Sequence, residues 1–154
     1  MSGVHQVEIL LVEDSPSDAE MTLRSLKRHN FANNVHWVKD GAEALDFMFL
    51  KGAYADRVPG QALKLVLLDI KMPKVDGIEV LRQLKADPRT RPTPVVMMTS
   101  SSEERDIVES YALGANGYIV KPVQFGSFLE TVAAIGLYWV LANRVPEAAA
   151  GTQP

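Results

Sequence analysis

Four short polar clusters in this chain follow apolar runs, and together they hold the makings of one chemistry. Glu13-Asp14 follows Val7–Val12, Asp69 follows Leu65–Leu68, Thr99-Ser100 follows Pro94–Met98, and Lys121 follows Tyr118–Val120. Three carboxylates gathered at one place repel one another and raise each other's pKa values. A divalent cation relieves that repulsion. A donor set of oxygen, without sulfur or histidine, suits Mg²⁺, which keeps several waters and takes a phosphate oxygen readily. With the cation present, Asp69 is ionised and can act as a nucleophile toward phosphorus. The phosphoryl oxygens then need neutralising: Mg²⁺ takes one, the Lys121 ammonium a second and the Thr99 hydroxyl a third. No base is placed to activate a serine, and there is no nucleotide-binding loop.

These residues make one site only if the fold brings four run ends together. The runs are short and rich in Val, Ile, Leu and Met with little alternation, as in strands buried on both faces of a parallel sheet. Val35–Val38 is a weaker fifth strand. Ser15-Pro16 supplies an N-cap and a first-turn proline for a helix reaching about Arg28. Asp40 with Glu43, Asp76 with Glu79, and Ser101 with Glu104 have capping-box spacing. They predict helices over Gly41–Leu50, Gly77–Ala86 and from Ser101 to about Leu113, where Gly114 fits a left-handed stop. A last helix is expected from Phe125 to Asn143. Strict alternation of strand and helix predicts an α/β fold, a doubly wound five-stranded parallel sheet with helices on both faces. In such sheets ligands bind beyond the carboxyl ends of the strands, where Glu13, Asp14, Asp69, Thr99 and Lys121 fall.

Composition sets the outer bounds. The chain has 154 residues, a formal net charge of −3 and no cysteine. That is one domain, with no disulfide, thiolate metal site or thiol nucleophile. The charge gives no reason to expect nucleic acid or an anionic membrane as partner. The polar first six residues are no signal peptide, and the uncharged stretch Val132–Ala142 is too short to span a bilayer, so a cytoplasmic protein is expected. The domain is expected over 7–144, with a long connection at 51–64, disordered ends at 1–6 and 145–154, and no output domain.

In order, Glu13-Asp14, Leu68-Asp69-Ile70-Lys71-Met72-Pro73, Asp76-Gly77, Thr99-Ser100, and Tyr118 with Lys121-Pro122 resemble the receiver domain of two-component response regulators over roughly Val7 to Asn143. Each piece is common alone; the ordered set is specific. The resemblance implies a flavodoxin-like sheet of order 2-1-3-4-5. It implies Asp69 as phosphoacceptor for a histidine kinase, and Mg²⁺ held by Asp14 directly, Glu13 through water, Asp69 and the backbone carbonyl of Lys71. Thr99 and Lys121 would bind the phosphoryl group. Tyr118 resembles the aromatic switch that turns inward when Thr99 moves, although a structural tyrosine explains it equally well. The Lys121-Pro122 bond would be cis. The segment Val12–Asp18 and the 51–64 connection resemble single-domain regulators that partner bacterial and cyanobacterial phytochromes. The Lys71 side chain stands where the family tunes dephosphorylation.

Other readings compete. Ser100 and Ser101 are better read as helix caps than as site residues, and His5, His29 and His36 as surface or structural. An aspartyl-nucleophile phosphatase of the haloacid-dehalogenase kind uses similar groups, but it has a second acid where this chain has Lys71, so turnover would be poor. A flavodoxin-like cofactor binder would set these carboxylates against a flavin phosphate. Finally, a last helix apolar all round must bury a second side. A homodimer through that helix is expected, using Phe128, Ile135, Tyr138 and Trp139.

Overall fold

A computed structural model describes residues 7–28, 34–57, 63–72, 74–100 and 104–137. The elements alternate without exception. They are β1 (Ile9–Val12), α1 (Pro16–Arg28), β2 (Val35–Val38), α2 (Gly41–Phe49), β3 (Leu65–Asp69), α3 (Gly77–Ala86), β4 (Val95–Thr99), α4 (Glu104–Ala112), β5 (Gly117–Val120) and α5 (Phe125–Ala134). All strand pairs are parallel, in the order β2-β1-β3-β4-β5. The doubly wound sheet expected from the sequence is therefore the fold.

The apolar runs lack alternation because both faces of the sheet are covered. Leu10, Val12, Val66, Leu68, Val95 and Met97 face one way and pack with Ala44 and Phe47 of α2 and Val80, Leu81 and Leu84 of α3. Ile9, Leu11, Leu65, Leu67, Val96, Met98 and Ile119 face the other way, onto Ala19 and Leu26 of α1 and Phe128 and Val132 of α5. Each fully buried Val, Leu, Ile, Met or Phe among them contributes about 1.5–3 kcal/mol by leaving water.

Three of the expected helix starts are in the described residues; Ser101 lies outside them. Asp40 and Asp76 accept the backbone N–H of Glu43 and Glu79 at 2.8 and 2.9 Å. Ser15 Oγ accepts from the Asp18 backbone at 3.3 Å. Gly114 has φ +106° and closes α4. Part of the long connection is built rather than loose. A short 3₁₀ turn, Gly52–Tyr54, lies against α2. The Tyr54 hydroxyl donates to Glu43 Oε2 at 2.8 Å and lies 2.9 Å from His36 Nε2. The Arg57 guanidinium sits over the Phe47 ring, 4.0 Å from its centroid, and Nε donates to the Phe47 carbonyl at 3.1 Å. His36 is thus structural; burial lowers its pKa, against the pull of Glu43. His5, His29 and the 58–62 part of the connection lie outside the described residues.

The last helix departs from expectation. It ends at Ala134 rather than Asn143. Gly136 takes φ +83°, and the Leu137 N–H returns to the Val132 carbonyl at 2.7 Å, a left-handed stop that only glycine adopts without strain. Phe128 is also corrected. It is fully buried beneath the sheet and belongs to the core, not to a face for a second copy. Ile135 is half-buried against the same core. Tyr138 and Trp139 lie outside the described residues. No described helix is long and apolar enough to cross a membrane.

Phe128→Ala should therefore cost about 3–5 kcal/mol of stability, as for a large core truncation. Urea unfolding at two protein concentrations tenfold apart checks this. A loss that shrinks to nothing at one concentration would return Phe128 to an interface.

Candidate functional site

The parallel sheet delivers one end of every strand to one edge, and the sequence loads that edge with charge. Glu13 and Asp14 follow β1, Asp69 ends β3, Thr99 ends β4 and Lys121 follows β5. Glu13, Asp69 and Thr99 are buried, at 1%, 3% and 1% exposure, while Asp14 is open to solvent. One carboxylate oxygen from each of Glu13, Asp14 and Asp69 lies within 4.8 Å of the others. The convergence expected from topology is present.

Backbone contacts fix where each group points. Asp69 pairs in register with Met98, and the Ile70 N–H bonds the Met98 carbonyl at 3.0 Å. The Gly77 N–H bonds the Ile70 carbonyl at 2.7 Å. A Cβ on Gly77 would stand 2.1 Å from the Asp69 carbonyl oxygen, so α3 can begin this close to the strand end only with glycine. Lys121 N–H bonds the Thr99 carbonyl at 2.7 Å, and the Lys121-Pro122 bond is cis. Trp37 Nε1 donates to the Glu13 carbonyl at 2.7 Å and Ser15 N–H to Glu13 Oε2 at 3.2 Å. Glu13 is thereby locked facing inward.

Lys121 is the counter-charge. Its Nζ lies 2.9 and 3.2 Å from the two Glu13 carboxylate oxygens, 3.0 Å from Asp18 Oδ2 and 3.5 Å from Asp69 Oδ1. Burial works against its charge, but the hydrogen bonds to Glu13 and Asp18 and the charge of Asp69 win and hold its pKa above the usual lysine value. Asp69 is pushed up to about 7, first by burial and then by the Glu13 charge, against the pull of Lys121. One ammonium does not balance these carboxylates. The donors are all oxygen, clustered and over-negative, which fits a hard divalent cation.

Tyr118 stands in β5 opposite Met97, half-buried against the core on the α2 and α3 side. The Lys71 side chain is exposed and lines a cleft of about 580 Å³ between α3 and α4, with Asp76, Arg82 and Glu109 along it. Asp18 is the site residue that sequence reasoning passed over. An acid in the first turn of a helix is favourable on its own account, so its position gave no sign of a bond to Lys121, more than a hundred residues later.

Comparison with known proteins agrees with this geometry. Residues 9–133 match the model of the response regulator receiver domain. The chain belongs to that family. This receiver is 47% identical to the bacteriophytochrome response regulator AtBRR, with a TM-score of 0.80 over 90% of this chain and 99% of that one. It is 39% identical to the probable methanogenesis regulatory protein FilR2 of Methanothrix harundinacea, covering 90% of this chain and 86% of FilR2. It is 34% identical to response regulator Rcp1 of Synechocystis sp. over 91% of this chain and 93% of Rcp1. A crystal structure of Rcp1 in its Mn²⁺-bound form, 33% identical, gives a TM-score of 0.72 over 91% of this receiver and 99% of that chain. Receiver domains are generally signalling phosphoacceptors rather than turnover enzymes.

The raised Asp69 pKa makes a signed prediction for the metal-free protein. The unfolded chain ionises this acid near its ordinary 3.8 and the folded one near 7, so the folded state loses stability as pH rises between them. In EDTA, Asp69→Asn should raise the thermal midpoint at pH 7.5 and give little gain at pH 4. Differential scanning fluorimetry at both values decides it; an equal gain at both would mean that Asp69 is not ionised against its surroundings.

Proposed function

We propose that this receiver takes a phosphoryl group on Asp69 from a histidine kinase, in a Mg²⁺-dependent reaction, and signals through protein contacts. The observation that carries the reading is the buried Asp69 carboxylate at the end of β3, with Glu13 and Asp14 beside it and an ammonium 3.5 Å away. An Asp69 oxygen attacks phosphorus in line, forming the P–O bond as the donor's P–N bond breaks. The electron pair leaves with the imidazole nitrogen, which keeps or takes up a proton. Lys121 then neutralises one phosphoryl oxygen and the Thr99 hydroxyl donates to another. Glu13, Asp14, Asp69 and the Lys71 carbonyl are the groups that would hold Mg²⁺. When bound, it supplies the positive charge that keeps Asp69 ionised and screens the incoming phosphate.

The phytochrome assignment of the kinase is also a proposal. It is supported by the 47% identity to AtBRR, set beside a relative such as FilR2 with a different regulatory name. Movement of Thr99 toward the phosphoryl group opens space along β4, and Tyr118 on the neighbouring strand is the side chain placed to respond. The exposed apolar side chains include Val120 of β5, 45% exposed, and Val108 and Tyr111 of α4, 59% and 49% exposed. A change at Tyr118 would be read at these exposed apolar residues by a target or by a second copy, and a homodimer, with Ile135 and the segment after it, remains part of the proposal. An aspartyl phosphatase is disfavoured because Lys71 stands where its second acid would be. An intracellular, cytoplasmic setting fits a kinase partner.

Intact-protein mass spectrometry after incubation with phosphoramidate tests the core claim. One added phosphoryl group is expected with Mg²⁺, none with EDTA and none on Asp69→Asn. Folded wild-type protein that gains no adduct and releases no phosphate would overturn it. Sedimentation velocity at micromolar protein tests the dimer: Tyr111→Glu should shift a dimer toward monomer, whereas wild-type protein sedimenting as a monomer with and without the phosphoryl group ends that part of the reading.

A further inference from the structure

We infer that Asp18 is a resting-state tether for Lys121, a positioning residue that phosphorylation must dislodge. The inference rests on Asp69 being the phosphoacceptor and goes beyond it to the control of its rate.

Lys121 Nζ has three protons to give. In this structure they go to the two Glu13 carboxylate oxygens and to Asp18 Oδ2, with Asp69 Oδ1 3.5 Å away as a further ion-pair partner. The ammonium is saturated with carboxylates before any phosphoryl group arrives. To neutralise a phosphoryl oxygen it must let one of them go. Glu13 is the costly one to release, because its carboxylate is 1% exposed and water cannot replace the lost bond. Asp69 is the attachment point itself. Asp18 differs from both. Its side chain is 41% exposed, it sits on the first turn of α1, and it is not among the three acids that cluster to share a cation. Water can take over its carboxylate at little cost, so this bond is the one that breaks.

A contact present in the resting state and absent in the transition state slows the forward reaction. It leaves hydrolysis of the acyl phosphate alone, because there Lys121 has already moved before the barrier and stays moved across it. The two rates therefore separate a tether from its alternatives. An Asp18 that stays on Lys121 throughout and aims it would speed phosphorylation. A residue important only for folding would disturb both rates.

The test uses the full chain with Mg²⁺ and phosphoramidate, following the phosphoprotein by mass spectrometry and its decay after donor removal. Asp18→Asn should phosphorylate about twofold to fivefold faster, the range for an ion pair with one partly exposed partner. Its decay rate should stay within about twofold of wild type. Asp18→Glu, which restores the charge, should return the forward rate toward wild type. Glu20→Gln removes the same charge from an exposed position on α1 that pairs with Arg24, and it should leave both rates unchanged. A slower Asp18→Asn, an unchanged one, or equal acceleration by Glu20→Gln overturns the tether while leaving Asp69 as acceptor. Absence of any adduct on wild type overturns both, and that outcome is read first.

Discussion

The site is governed by an excess of buried negative charge that the fold cannot avoid creating. A parallel sheet sends every strand's carboxyl end to one edge, and two of those ends here carry three acids, Glu13 and Asp14 after β1 and Asp69 at the end of β3. Glu13 and Asp69 have almost no access to water. Lys121 offsets part of the repulsion, and the pKa directions record how incompletely. Asp69 is pushed up although an ammonium stands beside it, and Lys121 is held charged although it is half-buried. Such a site stores electrostatic free energy that added positive charge releases. The same imbalance supports the proposal that the cluster takes a divalent cation and that Asp69 is its nucleophile.

Holding that arrangement takes rigid backbone on both sides. The strand ends are fixed by register and by the Ile70, Gly77 and Lys121 backbone bonds, which join β3 to β4, β3 to α3, and β5 to β4. The core supplies the stiffness. Both faces of the central strands are covered, so a shift of Asp69 relative to Met98 would drag fully buried side chains through packed surroundings. Gly77 shows how little slack there is, since even a methyl group would collide with the Asp69 carbonyl.

What was legible in the sequence follows from the same physics. The strands were readable because burial on both faces leaves no alternation, and the helix starts because Asp40, Asp76 and Ser15 must answer orphan N–H groups. The strand-end acids were readable because a carboxylate after Leu-Val-Leu-Leu has no bland purpose. The fate of the last helix was misread from its composition. Val132–Ala142 has no charge, yet Gly136 inside it carried the stop signal, and Phe128 fell on the sheet-facing side of a helix that also has exposed positions. Asp18 was illegible for a different reason. First-turn acids and long-range ion-pair partners look identical in one dimension, and only the meeting of α1 with the end of β5 tells them apart.

That meeting point is also what makes the receiver more than a nucleophile in a pocket. Lys121 lies between the acid cluster and α1, and the strand that carries it also carries Tyr118 and the exposed Val120. Under the proposed phosphorylation, charge arriving at Asp69 would have two routes outward. One would run through Thr99 to β5, which carries Tyr118 and the exposed Val120. The other would run through Lys121 to the first turn of α1. The Lys121 N–H bond to the Thr99 carbonyl joins the starting points of the two routes. A switch of the proposed kind would need no large motion, because exchanging one salt-bridge partner on Lys121 would change which elements are tied together at the sheet edge.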